Sequence, residues 1–486
     1  MRASRVAITC CALLACCGQA SGQAEFRVYE EHPRIFLDPA RLTRLSKEVD
    51  RESLRWLALR AHVDAGTVFP EQPLVDALRF QVEGSAAAAE RAVEWSRQLA
   101  EDGIATASDL RLAALVYDWC HPRFGAAAKA AVRNAMARAV SEVLPQASLD
   151  PGLLRAAILA SISLAGDWAG SEAALSELLG THWESEIRPS LERGGLSDDG
   201  ADLIAILETS LTVRRNLDTD LLRPAAQALA ALVRTRLLGY YPLDIETSEG
   251  LARRPSRFGT DEELASVQAP LYRIADMLLV AYESNLREFQ FLQGLVHDDH
   301  YLLRSPMAVP YEFLWVNPYL PGLTPQSAPM LAHDRVRGRL YARLGWQRPS
   351  TWIGYAHGRL QVLAGDELSA SEDFDSLPPM FFPDAAVVPV VPPARVVLSW
   401  PGGRGGAPET AAIYFIGLQE GETYSLRVGG RDARLVQAGK GGIFVLRTDA
   451  NSRKRDRIDL RNKVRLELRP TLKPTDPGRP RPSLKR

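Results

Sequence analysis

Pro306-Met-Ala-Val-Pro-Tyr-Glu-Phe-Leu-Trp-Val-Asn-Pro-Tyr-Leu-Pro-Gly322 divides the chain into two differently patterned halves. Its prolines at 306, 310, 318 and 321 remove backbone donors and fix φ, so neither a helix nor a central strand is expected to run through it. Tyr311, Phe313, Trp315 and Tyr319 give the segment more apolar area than a solvated linker carries. It is expected to be clamped between two bodies, joining a helical domain to a β domain. Ligand clefts favour such junctions.

Upstream of this segment, apolar residues recur at helical spacing. Asp38 is placed as the N-cap of a helix opening at Pro39, followed by Leu42, Leu45, Val49, Leu54 and Leu57. Helices are expected over 74–82, 85–99 and 108–119, with Ser108-Asp109 capping the last and His121-Pro122 ending it. Further helices follow over 126–144, 151–164, 171–187, 199–211 and 221–238. A long inner helix over 261–283 and a last one over 286–297 complete the set. No strand is expected between Pro39 and Asp299. Trp56, Trp95, Trp119 and Trp168 lie on apolar helical faces and are expected in the core. Paired helices joined by short loops point to an (α/α) toroid rather than a four-helix bundle.

Downstream the period shortens. Strands are expected over 338–346, 351–355 and 359–363, then a loop-rich connection over 366–393. The segments 394–400, 411–416, 423–428, 433–437, 442–447 and 464–468 space as a small β-sandwich. The fold class is therefore α+β and multidomain. Its parts are a signal peptide at 1–24, a toroid of helical hairpins at 25–305 and the junction at 306–337. An antiparallel β region at 338–392, a C-terminal β-sandwich-like domain at 393–469 and a disordered basic tail at 470–486 follow.

Composition sets the outer bounds. With 486 residues, 46% hydrophobic, and a formal net charge of -1, the chain has no global field favouring nucleic acid. Arg2 and Arg5 precede an apolar run to Cys17 and a small-residue stretch to Ala24, the pattern of a secretory signal and too short for a membrane span. The protein is expected to be secreted or periplasmic, with Leu13-Leu-Ala-Cys16 offering a lipoprotein alternative. Cleavage near Ala24 leaves Cys120 alone, so no intrachain disulfide is expected. No oligomeric state is specified by these residues.

Three patches, His32-Pro-Arg-Ile-Phe-Leu37, Leu112-Ala-Ala-Leu-Val-Tyr-Asp-Trp119 and Leu340-Tyr-Ala-Arg-Leu-Gly-Trp346, resemble the heparinase II/III-like group of α/α-toroid polysaccharide lyases. The resemblance covers most of residues 30 to 365. It implies a carbohydrate-active protein that cleaves uronate-containing glycan by β-elimination, with polysaccharide or oligosaccharide as partner. The group also carries a histidine-rich pattern in its β domain; the corresponding stretch here holds only His357 and Asp366. Its helical Asp-Gly segment has its nearest match at Asp199-Gly200, with Glu208 following. A catalytically inactive relative that binds glycan or a partner through the same scaffold is the alternative.

Elimination beside a uronate carboxylate needs a cation or donor on that carboxylate and a base within ~3 Å of the proton. Tyr311 is nominated as base, with His182 or His333 as neutraliser or acid. Trp315, Asn317 and Tyr319, with the basic Arg253, Arg254 and Arg257, are nominated to bind substrate. The plain alternatives are packing for Tyr311, a helix start for His182, structural use for His333, a turn for Asn317 and a solvated loop for the arginines. No cofactor is expected. His297-Asp-Asp-His300 is a tight His/Asp cluster suited to zinc or manganese, although histidines so spaced at a helix end usually cap carbonyls or face solvent. Asp198, Asp199 and Glu246 are the nominees for a glycoside-hydrolase alternative.

Overall fold

A computed structural model describes residues 31–194, 200–247, 250–256, 286–298, 308–347, 350–374, 377–382, 384–399, 411–428, 433–448 and 455–462, with single residues 28, 258 and 306. The segment expected to be a signal peptide with Cys16, the helix expected over 261–283, the strand expected over 464–468 and the basic tail lie outside the described residues. The protein is α+β, with helices in its N-terminal half and sheets in its C-terminal half. It forms two compact units. One is Met1–Asp50, Glu71–Glu186 and Glu208–Leu221; the other is Arg51–Pro70, Ile187–Leu207 and Leu222–Arg486.

The helices are α1 (Pro39–Asp50), α2 (Leu54–Asp64), α3 (Gln72–Glu83), α4 (Ala86–Asp102), α5 (Ala107–Trp119), α6 (Ala126–Val143) and α7 (Pro151–Ser163). They continue as α8 (Ser171–Glu177), a π-helical stretch Leu178–Ile187, α9 (Arg188–Glu192), α10 (Gly200–Leu217) and α11 (Ala226–Leu238). The last two are α12 (Arg287–Asp298) and α13 (Val309–Trp315). No helix among the described residues is long and apolar enough to cross a membrane.

In the first unit, α5 is the central helix: every residue from Leu110 to Trp119 is buried, and it packs on α3, α4, α6 and α7. Asp38 caps α1 as expected, accepting from the Arg41 amide at 2.7 Å. The cap of α5 is not Ser108-Asp109 but Thr106, whose hydroxyl and the Asp109 carboxylate form a reciprocal capping box. Burying α5 on all sides requires its cation, Arg111, to be paired. It donates to Glu208 of α10 at 2.8 and 2.9 Å, and Arg155 of α7 reaches the same carboxylate at 2.9 Å. Trp119 is in this core, whereas Trp95 and Trp168 are only half-buried.

In the second unit the expectation for 306–322 is overturned: a helix, α13, does run through it. Pro310 sits in the first helical turn, where its missing N–H costs nothing, and the helix stops before Asn317-Pro318. Trp56 of α2 packs on Phe313 at 5.5 Å between ring centroids. Arg55 donates to the carbonyls of Glu312 and Val316, both at 2.7 Å, and so caps the end of α13. The outer face of α2, with Leu54 and Leu57, is exposed.

The absence of strands before residue 299 is also corrected. β1 (Tyr240–Thr247) and β2 (Gly250–Pro255) form an antiparallel hairpin, with a register irregularity beside Pro242. A five-stranded antiparallel sheet follows in the order β3 (Leu331–Asp334), β4 (Arg339–Arg343), β5 (Trp352–Ala356), β6 (Arg359–Ala364) and β7 (Glu367–Ser371). β8 (Met380–Phe382) and β9 (Ala385–Pro389) also fall where a loop-rich connection was expected. The remaining strands are β10 (Ala394–Ser399), β11 (Ala411–Ile416), β12 (Thr423–Val428), β13 (Arg434–Gln437), β14 (Phe444–Thr448) and β15 (Arg455–Asn462). They build two four-stranded sheets, β14-β11-β9-β8 and β10-β15-β12-β13, in which β9 and β11 are parallel and the other pairs antiparallel.

Strand β9 explains how these layers stack, because all five of its residues are buried. Ala386 and Val388 join a core with Leu398 and Leu426 of the other four-stranded sheet. Ala385 and Val387 join a second core with Leu340, Ile353 and Leu360 of the five-stranded sheet. Alternation along a strand buried on both faces places one sheet between two apolar cores.

Candidate functional site

Several of the residues nominated from sequence are taken up in packing or in turns. Tyr311 and Trp315, at 1% and 2% exposure, belong to the packed face of α13. The Asn317 side chain accepts from the Tyr319 amide at 3.1 Å and its carbonyl accepts from Gln293 at 3.0 Å, so Asn317 shapes the turn. Tyr319 alone of this group is exposed, at 62%. His182 lies in the π-helical stretch, buried, with Nδ1 3.0 Å from Glu186. Glu186 in turn accepts from the Ser148 hydroxyl at 2.8 Å and the Leu149 amide at 3.0 Å, which ties down the loop before α7. His333, on β3, packs edge-on against Tyr414 at 5.5 Å, and burial with the nearby Arg335 pushes its pKa down to about 4.

Arg253 and Arg254 lie on β2 rather than in a loop; their side chains, and all of Arg257, Asp198 and Asp199, are outside the described residues. Glu246 lies on β1. His297 ends α12 within 2.7 Å of the Gln293 amide nitrogen, and Asp299 and His300 are outside the described residues. Glu208 is the ion-pair partner of Arg111 and Arg155, not a free carboxylate.

A different group of side chains comes together in the first unit, where two of the three family-like patches meet. Asp118, fully buried near the end of α5, accepts from the Arg34 amide at 2.8 and 3.0 Å and from the Ile35 amide at 2.8 Å. Its Oδ1 is 2.6 Å from His32 Nδ1. The adjacent Trp119 donates its indole N–H to the Ile35 carbonyl at 2.9 Å. Arg34 reaches over to the Ala165 carbonyl at 2.6 Å, in the turn after α7. The leading segment is thus fastened to both helices, and the fastening sets His32 beside His121.

His121 follows α5 in a short 3-10 turn with Pro122. The two imidazoles stack with centroids 3.7 Å apart and planes 15° from parallel. His121 Nε2 lies 3.0 Å from Asp167 Oδ2, to which the Tyr117 hydroxyl also donates at 2.8 Å. Lys129 of α6 reaches Asp167 Oδ1 at 3.2 Å. His121, Asp167 and Lys129 remain 23%, 26% and 30% exposed, so the cluster opens to solvent on one side. Trp168, half-buried, follows Asp167 and crowds Gly170.

The electrostatics follow from these contacts. Burial pushes the Asp167 carboxyl up, but hydrogen bonds from Tyr117, His121 and Lys129 outweigh it and hold the pKa at about 2. Burial lowers His121, against the opposing pull of Asp167, and raises Tyr117, whose phenol stays protonated. Near neutral pH the site holds a carboxylate, neutral imidazole, a phenol donor and an ammonium. Such a set can hydrogen-bond sugar hydroxyls, move a proton, or offer a nitrogen-and-oxygen donor set to an ion, since one donor atom each from His32, His121 and Asp167 lie within 4.8 Å of one another.

His32, Tyr117 and Asp118 stand in the patches that carried the resemblance, but His121, Lys129 and Asp167 carried no such signal. The available hint was that two histidines, 32 and 121, each precede a proline. No family model and no curated protein matches the chain.

Proposed function

We propose that this is an exported carbohydrate-active protein on a heparinase II/III-like scaffold, and that it binds uronate-containing glycan through the first unit without cleaving it by way of Tyr311. The finer architecture belongs to the same reading: an (α/α) toroid of helical hairpins followed by a β-sandwich. The packing of α3 on α4 and of α6 on α7 supports the first, and the apolar core shared by the two four-stranded sheets supports the second.

Burial carries the binding reading. Tyr311, His182 and His333 are each taken up in packing, whereas His121, Asp167 and Lys129 face solvent together. An ammonium and an imidazole N–H can pair with a sugar carboxylate, and Asp167 can accept from sugar hydroxyls. One observation favours elimination by the same cluster as a second reading. Tyr117, a protonated donor, and His121, a neutral imidazole, meet on one carboxylate, which is an acid and a base side by side.

A panel of uronate polysaccharides decides between them, with titration calorimetry reading binding and ultraviolet absorbance reading the unsaturated uronate that elimination creates. Saturable binding with no growth in absorbance is the expected result. Growth in absorbance that disappears in His121→Ala moves the conclusion to the second reading. Absence of binding to every member overturns both.

A further inference from the structure

We propose that His32, His121 and Asp167 bind one divalent transition-metal ion. The inference does not depend on the glycan reading, because the ion is tested without any sugar present. The three donor atoms already lie within 4.8 Å of one another, near the separation that bonds of ~2.0–2.2 Å to a common ion would set.

The surroundings are those of a ligand set. His32 Nδ1 faces the buried Asp118, which already accepts from two backbone amides. A carboxylate only accepts, so Nδ1 carries the proton and Nε2 is the nitrogen left to meet an ion. That carboxylate-to-imidazole bond is the outer-shell contact that fixes a metal-binding histidine. Tyr117 plays the same part toward Asp167, donating to Oδ2 and steadying the carboxylate. Oδ1 meanwhile faces Lys129, a cation at 3.2 Å on a flexible, partly exposed stem that can swing away.

Loading requires one rearrangement. An imidazole binds a metal in the plane of its ring, and two rings stacked 15° from parallel cannot both do so. His121, the more exposed ring, tilts out of the stack and gives up its contact with Asp167, while His32 stays held by Asp118. Two nitrogens and one oxygen suit zinc better than calcium or magnesium, and three protein ligands leave a fourth position for water or another ligand.

The test is calorimetric titration of ZnCl₂ into the full-length protein after chelator treatment. One ion per chain is expected, with His121→Ala and Asp167→Asn each weakening binding by about tenfold or more. His357→Ala, an exposed histidine outside the cluster, should leave the titration unchanged. Lys129→Gln separates a metal site from a merely structural cluster: removing the competing cation should tighten zinc binding, while the cluster's packing is kept. No saturable heat in the parent protein overturns the proposal. So does unchanged affinity in Lys129→Gln, or full affinity in folded His121→Ala.

Discussion

At Asp118 a buried carboxylate accepts from two backbone amides and one imidazole, and removing it would leave all three donors without their acceptor. Asp118→Ala is therefore expected to cost ~3 kcal/mol or more, and Asp118→Asn less, since one acceptor oxygen remains. Urea unfolding followed by circular dichroism reads the difference. His333 makes a pH prediction. Its folded pKa of about 4 lies below the ordinary 6.5, so the unfolded chain binds the proton more readily between those values. Stability is then full above pH 6.5, falls as pH drops toward 4, and levels off below it. His333→Gln should flatten this segment of the stability profile, whose depth is on the order of 3 kcal/mol. Sequence reading reached His32, Tyr117 and Asp118 because they stand in recognisable phrases. Tyr311 is not told apart from a site residue by sequence, because aromatic residues between prolines look alike whether they line a groove or a core. Only the packing of Phe313 on Trp56 separates the two.

The clearest element-scale device is the clamp of α5, α7 and α10. Arg111 and Arg155 share Glu208, and Arg111 is 1% exposed. Glu208→Ala removes the closer carboxylate of the buried Arg111 guanidinium, leaving Glu71 at 3.3 Å, and is expected to destabilise the protein by about 3 kcal/mol. Combining it with Arg111→Met should recover much of the loss, which thermal unfolding of the three variants will show. Most helices were legible from their spacing and caps, as with Asp38 and α1. Two kinds of element were not. A short helix between prolines, α13, reads as broken because Pro310 looks like an interior residue when it is in the first turn. Strands β7 to β9 read as loop because β7 is almost wholly exposed and β9 is buried on both faces, so neither alternates.

For the whole molecule, the break in hydrophobic period near residue 306 marks the change from helix to sheet but not the edge of a compact unit. Segments 51–70 and 187–207 leave the first unit and return the chain to it, which no local pattern announces. The same long-range closure builds the candidate site: His32 meets Asp118 across 86 positions and His121 meets Asp167 across 46. The central claim is that ligand acts at this cluster and not at the aromatic segment first suspected. Titration calorimetry of the best-binding uronate glycan against the parent protein, His121→Ala and Tyr311→Phe tests it most directly. The account predicts that His121→Ala weakens binding by about tenfold, ~1.4 kcal/mol, while Tyr311→Phe leaves it unchanged. Loss of binding in Tyr311→Phe with full affinity in His121→Ala would contradict it.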